Sequence, residues 1–209
     1  MIRLDLEHGS REWVMARLGI PTGSSFDRIL TPKTRKPSSQ AVVYRNQLLA
    51  EWVLGYPIDW GGQSAFMERG SRMEPEARAW YEMTRGVDVE LAGFVLRDDR
   101  MVGGSPDGLV GDDGILEIKC PAIHTHIGYM LGDGPDYTAQ VQGYLYLTGR
   151  AWADVLSYHP ELPPVVVRVE RDEGLIAPLG AVLDAFVANL SECRGRLAPY
   201  RSAPMERAA

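Results

Sequence analysis

The sequence predicts an α/β fold with a central mixed β-sheet flanked by helices. Three observations predict it. Apolar residues recur at helical spacing over about 10–84, alternate over 87–120, and then follow a helix–strand–helix order. Gly111-Asp112-Asp113-Gly114 is a strong hairpin signal between two strand-like runs. Hydrophobic residues make up 45% of the 209, an ordinary share that supports a sizeable core and argues against wholesale disorder.

The N-terminal third of the chain reads as helices. Ser10 is an N-cap for a short helix over 10–18 that ends at Gly19. Thr22-Gly23-Ser24-Ser25 is a small polar turn suited to cap a second one over 26–30. Ser39 can cap a third, with apolar Val42, Val43, Leu48, Leu49, Trp52 and Val53, stopped by Gly55. A fourth covers 63–84, with Gly70 as its weak point. Residues 87–91 and 93–97 then alternate as strands, Asp98-Asp99 marks a turn, and 101–110 and 115–120 are the strands of the hairpin. Helices follow over 123–131 and 136–148, and strands over 153–158 and 165–170. A last amphipathic helix over 173–194 puts Leu175, Leu179, Leu183, Phe186 and Leu190 on one face. The tail after Arg196 is rich in Pro, Arg and Ala and is expected to fray. There is no internal repeat.

Composition narrows the function classes. The net charge of −6 argues against general adhesion to nucleic acid but leaves room for a local basic surface. Residues 28–36 hold four basic side chains, Arg28, Lys33, Arg35 and Lys36, with a proline and no acid. They read as a mobile positive loop, either a solvated linker or a contact to a DNA backbone. No apolar run approaches the ~18 residues that span a bilayer, and the N-terminus lacks an apolar signal core. The expectation is a soluble cytosolic protein without membrane contact. Cys120 and Cys193 are too few for a disulfide framework, an iron–sulfur cluster or a four-thiolate zinc site. His8, His124, His126 and His159 are scattered, and His124 and His126 read as loop or helix-start residues near the site rather than as a metal pair.

The stretch 104–121, Gly-Ser-Pro-Asp-Gly-Leu-Val-Gly-Asp-Asp-Gly-Ile-Leu-Glu-Ile-Lys-Cys-Pro, carries the chemistry. In a strand, Glu117 and Lys119 project to one side and Ile118 to the other. Asp107 comes in from the neighbouring strand. Two carboxylates and a lysine converging at strand ends can hold a divalent cation and steer a water at it. This is the pattern of a metal-dependent nuclease. Of 22 basic residues only Lys33, Lys36 and Lys119 are lysines, and Lys119 sits in an apolar strand where an unpaired charge is costly. Three further segments fit the same site: Glu74 in the helix before the sheet, Gln140 and Gln142 in the helix after it, and Arg17 with Ser24 near the N-terminus. Taken alone, Glu74 and Gln140 read as solvated helix residues and Ser24 as a helix cap.

Together these segments resemble the PD-(D/E)XK nuclease superfamily and, within it, the phage lambda exonuclease family, the YqaJ-like viral recombinase nucleases. The resemblance runs over about 12–149. It rests on Trp13 with Arg17-Leu-Gly, the Thr22-Gly-Ser turn, Leu48-Leu-Ala-Glu51, Gly70 with Glu74 and Ala77, Ser105-Pro-Asp-Gly108, Leu116-Glu-Ile-Lys-Cys-Pro121, and Tyr137 with Gln140-Val-Gln142. It implies a restriction-endonuclease-like core and one exonuclease domain over 1–209, with N-terminal helices and the basic loop over 1–62, the catalytic core over 63–170 and a C-terminal helix and tail over 171–209. It implies a 5′→3′ exonuclease on double-stranded DNA ends, leaving 3′ single strands for phage-type recombination. Asp107, Glu117 and the carbonyl of Ile118 would bind the principal Mg²⁺, and Glu74 would help hold a second, with Mn²⁺ as a substitute. Lys119 would orient or deprotonate the attacking water and Gln140 would position it. Arg17 and Ser24 would take the 5′-phosphate, and Lys33, Arg35 and Lys36 would meet the duplex backbone. The implied partners are a single-strand annealing protein and two further copies in a trimeric ring. The implied setting is the bacterial host cytoplasm, with a phage or prophage origin.

The match has departures. The hairpin between Asp107 and Glu117 is short, Ile20-Pro21 precedes the phosphate turn, and Phe66 or Met67 is the only guess for a strand-splitting wedge. The readings that compete are another nuclease of the superfamily (an endonuclease or a RecB-like module), a non-catalytic module that binds DNA ends, and a metal hydrolase acting on a different substrate.

Overall fold

Alternation decides where the sheet forms, and the computed structural model describes it over residues 1–58, 65–134 and 137–201, with backbone alone at 65–69 and 71. Strands β1 (Ile2–Leu4), β2 (Leu30–Thr31), β3 (Lys36–Pro37), β4 (Val89–Glu90), β5 (Phe94–Leu96), β6 (Gly103–Gly104), β7 (Gly108–Val110), β8 (Gly114–Lys119), β9 (Trp152–His159) and β10 (Leu162–Glu170) fall into three sheets. The largest has the order β10-β9-β8-β7-β4. Only β8 and β9 run parallel in it, so the sheet is mixed. A smaller sheet has the order β1-β5-β6, and β2-β3 is a separate ribbon. The helices are α1 (Arg11–Arg17), α2 (Ala41–Leu54), α3 (Ala65–Arg85), α4 (Ile123–Met130), α5 (Thr138–Thr148) and α6 (Glu173–Leu197), with 3₁₀ turns at Gly23–Arg28 and Ala198–Tyr200.

Strand β8 is central, and it is buried on both faces from Gly114 to Ile118. Leu116 and Ile118 pack with Ala77 and Tyr81 of α3, and Ile115 packs with Val141, Tyr144 and Leu145 of α5 and with Ile176 of α6. A second core joins Leu48 and Leu49 of α2 and Phe26 of the 3₁₀ turn to the buried face of α6. The Ser10 side chain accepts from the Trp13 amide and starts α1, as its position predicts. Gly55 ends α2 in the left-handed region, at φ 76°.

Several expectations change. The basic segment is not a mobile loop: Leu30 and Thr31 pair with Pro37 and Lys36, and Leu30 is fully buried, so the core anchors a hairpin with Arg35 at φ 55° in its turn. The run 101–110 is not one strand. Gly103–Gly104 pairs with β5, Gly108–Val110 pairs with β8 and β4, and Ser105-Pro106-Asp107 crosses between the two sheets. The expected 26–30 helix is a 3₁₀ turn that starts earlier, at Gly23. Strand β1 has no counterpart among the expected elements, because three residues are too few to show a period. The fourth helix reaches Arg85 and contains Pro75, which withdraws an amide from the helix ladder just after Glu74. Gln63, where that helix was expected to begin, and Asp136, where the 136–148 helix was expected to begin, lie outside the described residues. The side chains of Phe66 and Met67 also lie outside them. Helical order also passes Arg196, where fraying was expected, and reaches Tyr200.

The segment Glu173–Tyr200 is long and apolar enough to cross a bilayer, with a mean hydropathy of 1.5, contrary to the expectation that no segment would be. Here its apolar face is core: Leu175, Leu179, Leu183 and Leu190 are all at or below 3% exposure. His126 is a core residue as well. Its Nε2 donates to the Pro163 carbonyl at 3.0 Å and its Nδ1 is hydrogen-bonded to the Ser157 hydroxyl at 2.7 Å, while His124 is exposed.

Strand β9, the parallel neighbour of β8, carries a buried acid. Asp154 is 1% exposed, accepts from the Tyr81 hydroxyl at 2.8 Å, and is held by both ends of the Arg168 guanidinium. Removing it strands a buried phenol. Asp154→Ala is expected to lower stability in urea titration by about 3 kcal/mol, whereas Arg168→Ala, at an outer side chain that is 46% exposed, should cost clearly less. Equal losses would mean that the buried acid is not the anchor.

Candidate active site

The antiparallel register pairs Gly108 with Leu116, and one step further it sets Asp107 opposite Glu117. Asp107 is the last residue of the crossing segment, immediately before β7. That segment is pinned from both sides: Ser105 donates its hydroxyl proton to the Gly93 carbonyl and accepts from Trp13 Nε1 at 3.2 Å. The main-chain amide of Ile118 donates to Asp107 Oδ2 at 2.6 Å, which fixes that carboxylate against β8.

Glu117 is 2% exposed, and its Oε1 accepts from Lys119 Nζ and from Gln140 Nε2, both at 2.6 Å. Lys119 Nζ also donates to Gln140 Oε1 at 3.3 Å and lies 4.5 Å from the ring centroid of Tyr137. Gln140 donates in turn to the Tyr144 hydroxyl at 3.0 Å. The remaining oxygen, Glu117 Oε2, is buried with no hydrogen-bond partner. A carboxylate oxygen in that state is short of a donor or a cation.

The electrostatics agree. Burial, reinforced by the charge of Asp107, pushes the Glu117 carboxyl up to about 8. Glu74 enters from α3 and is pushed up to about 7 by burial and again by Asp107. Burial also raises Asp107, against the opposing pull of Lys119 and of the Ile118 amide. For Lys119 burial acts downward, but the charges of Glu117 and Asp107 outweigh it and hold the ammonium well above its usual range. Burial raises all three acids, and a single ammonium faces them, so the cluster is short of positive charge. Among the described residues no three His, Cys, Asp or Glu side chains form a ready-made metal cage. A cation here would rest on Asp107, Glu117, the Ile118 carbonyl and solvent oxygens, which suits a hard ion that keeps several waters. The partnerless Glu117 oxygen fits such an ion.

One cleft of about 1300 Å³ joins this cluster to the N-terminal turn, lined by Asp107, Glu117, Lys119, Gln140 and Glu74 and also by Arg17 and Ser24. Arg17 stacks over Trp13 with its guanidinium carbon 4.6 Å from the ring centroid, and Ser24 is exposed on the 3₁₀ turn. The turn is braced by the Thr22 amide, which donates to the Tyr44 hydroxyl at 3.2 Å. The remaining candidates lie elsewhere. Lys33, Arg35 and Lys36 sit on the β2-β3 hairpin and do not line the cleft, and Arg35 pairs with Asp172 at 3.3 Å. Gln142 faces the interior, donating to the Glu170 carbonyl and accepting from the Asp172 amide, so it is a brace rather than a member of the cluster.

Of the basic segment only Arg28 lines the cleft, and sequence reasoning gives no role there to His8 or Tyr144. Arg28 lies 4.5 Å over the Tyr44 ring and donates to Gln47 at 2.6 Å. His8 lies against Trp13 with ring centroids 4.3 Å apart and the rings tilted by 55°, and burial lowers its pKa. Tyr144 closes the hydrogen-bond chain behind Gln140. Tyr144 is four residues from Gln140 and therefore on the same helix face, a signal present in the sequence.

Comparison with known proteins follows the same outline. Residues 12–151 match the family described as the YqaJ-like viral recombinase domain. The crystal structure of an alkaline exonuclease, LHK-Exo, from Laribacter hongkongensis is similar at TM-score 0.81 and 34% identity, covering 91% of this chain and 97% of that one. LHK-Exo in complex with dAMP is similar at TM-score 0.79 and 34% identity, over 91% and 99% of the two chains. A phage related exonuclease from Haemophilus somnus 129PT shares the fold at TM-score 0.68 and 16% identity, over 85% and 96%. Comparison with curated proteins finds no match.

The raised acids have a measurable consequence. A carboxyl whose folded pKa exceeds its unfolded value stabilises the fold at low pH, and the contribution is lost as the pH rises through the folded value. With Glu74 near 7 and Glu117 near 8, the metal-free protein should lose stability between about pH 5 and about pH 9. Thermal melts in chelator are expected to fall by on the order of 5 °C across that window, and Glu117→Gln should flatten the slope. A melting temperature that climbs with pH there would contradict the assignment.

Proposed function

The chain belongs to the YqaJ-like viral recombinase domain family and is a nuclease, and from that premise we propose that it digests one strand of linear duplex DNA from the 5′ end in a metal-dependent reaction. The observation that carries the reading is that a single cleft joins the Asp107–Glu117–Lys119–Gln140 cluster to Arg17 and the Ser24 turn. Asp107, Glu117 and the Ile118 carbonyl would hold the first Mg²⁺ and Glu74 would help hold a second, with Mn²⁺ able to replace them. When bound, these ions neutralise charge on the phosphate and make a water acidic.

The chain's own residues do the rest. Arg17 offers a fork to the phosphate oxygens of the strand end, and the Ser24 hydroxyl adds a neutral donor beside it. Seating that phosphate fixes how far the strand reaches toward Glu117, so the bond that is cut is set by the distance between the two ends of the cleft. Lys119, retaining its proton beside Glu117, is a donor that orients the attacking water and counters charge on the phosphate. Gln140 bridges Lys119 and Glu117 and holds both in register. Water adds at phosphorus, the P–O3′ bond breaks, and the leaving oxygen takes up a proton. A mononucleotide leaves, and the shortened strand again carries a 5′-phosphate that can refill the turn. A relative solved with dAMP supports a product of that class. The ring-shaped trimer, the annealing-protein partner and action in the bacterial cytoplasm complete this reading.

End-labelled linear duplex with Mg²⁺ tests it. Mononucleotide release from 5′-phosphorylated ends is expected, with covalently closed circles left intact; cutting of circles would favour an endonuclease. Lys119→Ala should lower the rate by at least ~100-fold. Arg17→Ala should erase the preference for 5′-phosphorylated over 5′-hydroxyl ends, and equal wild-type rates on the two ends would remove the phosphate assignment.

A further inference from the structure

Helix α5 and the 3₁₀ turn Gly23–Arg28 interpenetrate at two points. A Cβ on Gly23 would lie 2.3 Å from Cε1 of Tyr144, and a Cβ on Gly143 would lie 2.2 Å from Cδ2 of Phe26. Each element omits a side chain where the other inserts a ring. The Tyr144 ring also covers Gly104, where a Cβ would come within 2.7 Å of the same Cε1 atom. Its hydroxyl accepts from Gln140 Nε2 at 3.0 Å, and the residue is 3% exposed. One rigid side chain therefore touches the turn that presents Ser24, the strand that leads into Asp107, and the amide that donates to Glu117.

We infer that Tyr144 is a positioning residue that couples the anion-binding turn to the catalytic glutamine, so that seating of the strand end sets the orientation of Gln140. The inference rests on the nuclease reading above. Packing alone does not require the hydroxyl, because a phenylalanine ring would fill the same space over Gly23 and Gly104. The phenol reaches past that space to the one amide group that bridges Lys119 and Glu117. A close-packed contact has no slack, so a shift of the turn by a few tenths of an ångström moves the ring, and the hydrogen bond passes the shift to Gln140. An amide that makes three hydrogen bonds within the cluster leaves few alternative orientations.

Two variants test the coupling, assayed on linear duplex with 5′-phosphorylated or 5′-hydroxyl ends. Tyr144→Phe keeps the ring. It is expected to keep the melting temperature and KM, to lower kcat by about 10-fold, and to add nothing further in a Gln140→Ala background. Gly23→Ala pushes the ring. It is expected to lower kcat on 5′-hydroxyl ends as well as on phosphorylated ones, which a defect limited to phosphate binding would not do. Unchanged kcat in Tyr144→Phe, losses that multiply with those of Gln140→Ala, or a Gly23→Ala defect confined to phosphorylated ends would each overturn the coupling while leaving the nuclease reading intact. A wild-type protein that releases no nucleotide from any linear duplex would overturn both.

Discussion

Glu117 sits almost without solvent on the central strand of the sheet, and the rest of the site answers to that placement. A carboxylate there is costly unless positive charge or donors reach it. Lys119 and Gln140 both reach one of its oxygens, and the other has no partner. Asp107 cannot relieve the strain, because it is an acid itself and raises Glu117 further. The cluster is thus built short of positive charge. A site arranged in this way trades stability of the empty protein for affinity toward cations.

The fold supplies the rigidity that such a site needs. Strand β8 is clamped between α3 on one face and α5 with α6 on the other, so neither Glu117 nor Lys119 can swing away without disturbing a core. The crossing segment that delivers Asp107 is pinned to Trp13 and Gly93. Its position between the two sheets explains why Ser105, Pro106 and Asp107 are not strand residues. On the adjacent strand β9, the buried Asp154 ties α3 to the sheet through Tyr81. Two buried acids lie on neighbouring strands, but only Asp154 is fully partnered within the protein. The difference in partnering separates an acid that is satisfied within the fold from one left short of a donor or a cation.

Reach across the cleft depends on helix α5. It contributes Gln140 and Tyr144 to one side of the site and Gly143 to the packing of the Gly23–Arg28 turn. Gln142 lies on a different face of the same helix and braces the start of α6 through the Asp172 amide. Two glutamines two residues apart therefore serve different layers of the molecule, as the helical period requires.

Much of this is readable in the sequence. The spacing of Asp107, Glu117 and Lys119 across a short hairpin needs only strand geometry, and the lone interior lysine marks the site. The helices announce themselves by caps such as Ser10 and Gly55 and by the apolar stripe of α6. Short strands such as β1 and β2 are not readable, because two or three residues carry no period and their pairing partners lie elsewhere in the chain. The basic hairpin and Gln142 point toward the substrate in the sequence alone, because charge and spacing do not say which way a side chain faces. Residue types and spacing thus dictate that Asp107, Glu117 and Lys119 come together at one short hairpin. Folding in three dimensions settles that Arg17, Ser24 and Glu74 share one cleft with them, that Lys33, Arg35 and Lys36 do not, and that Tyr144 links its two ends. Those outcomes depend on packing between elements distant in the chain, which local propensity does not encode.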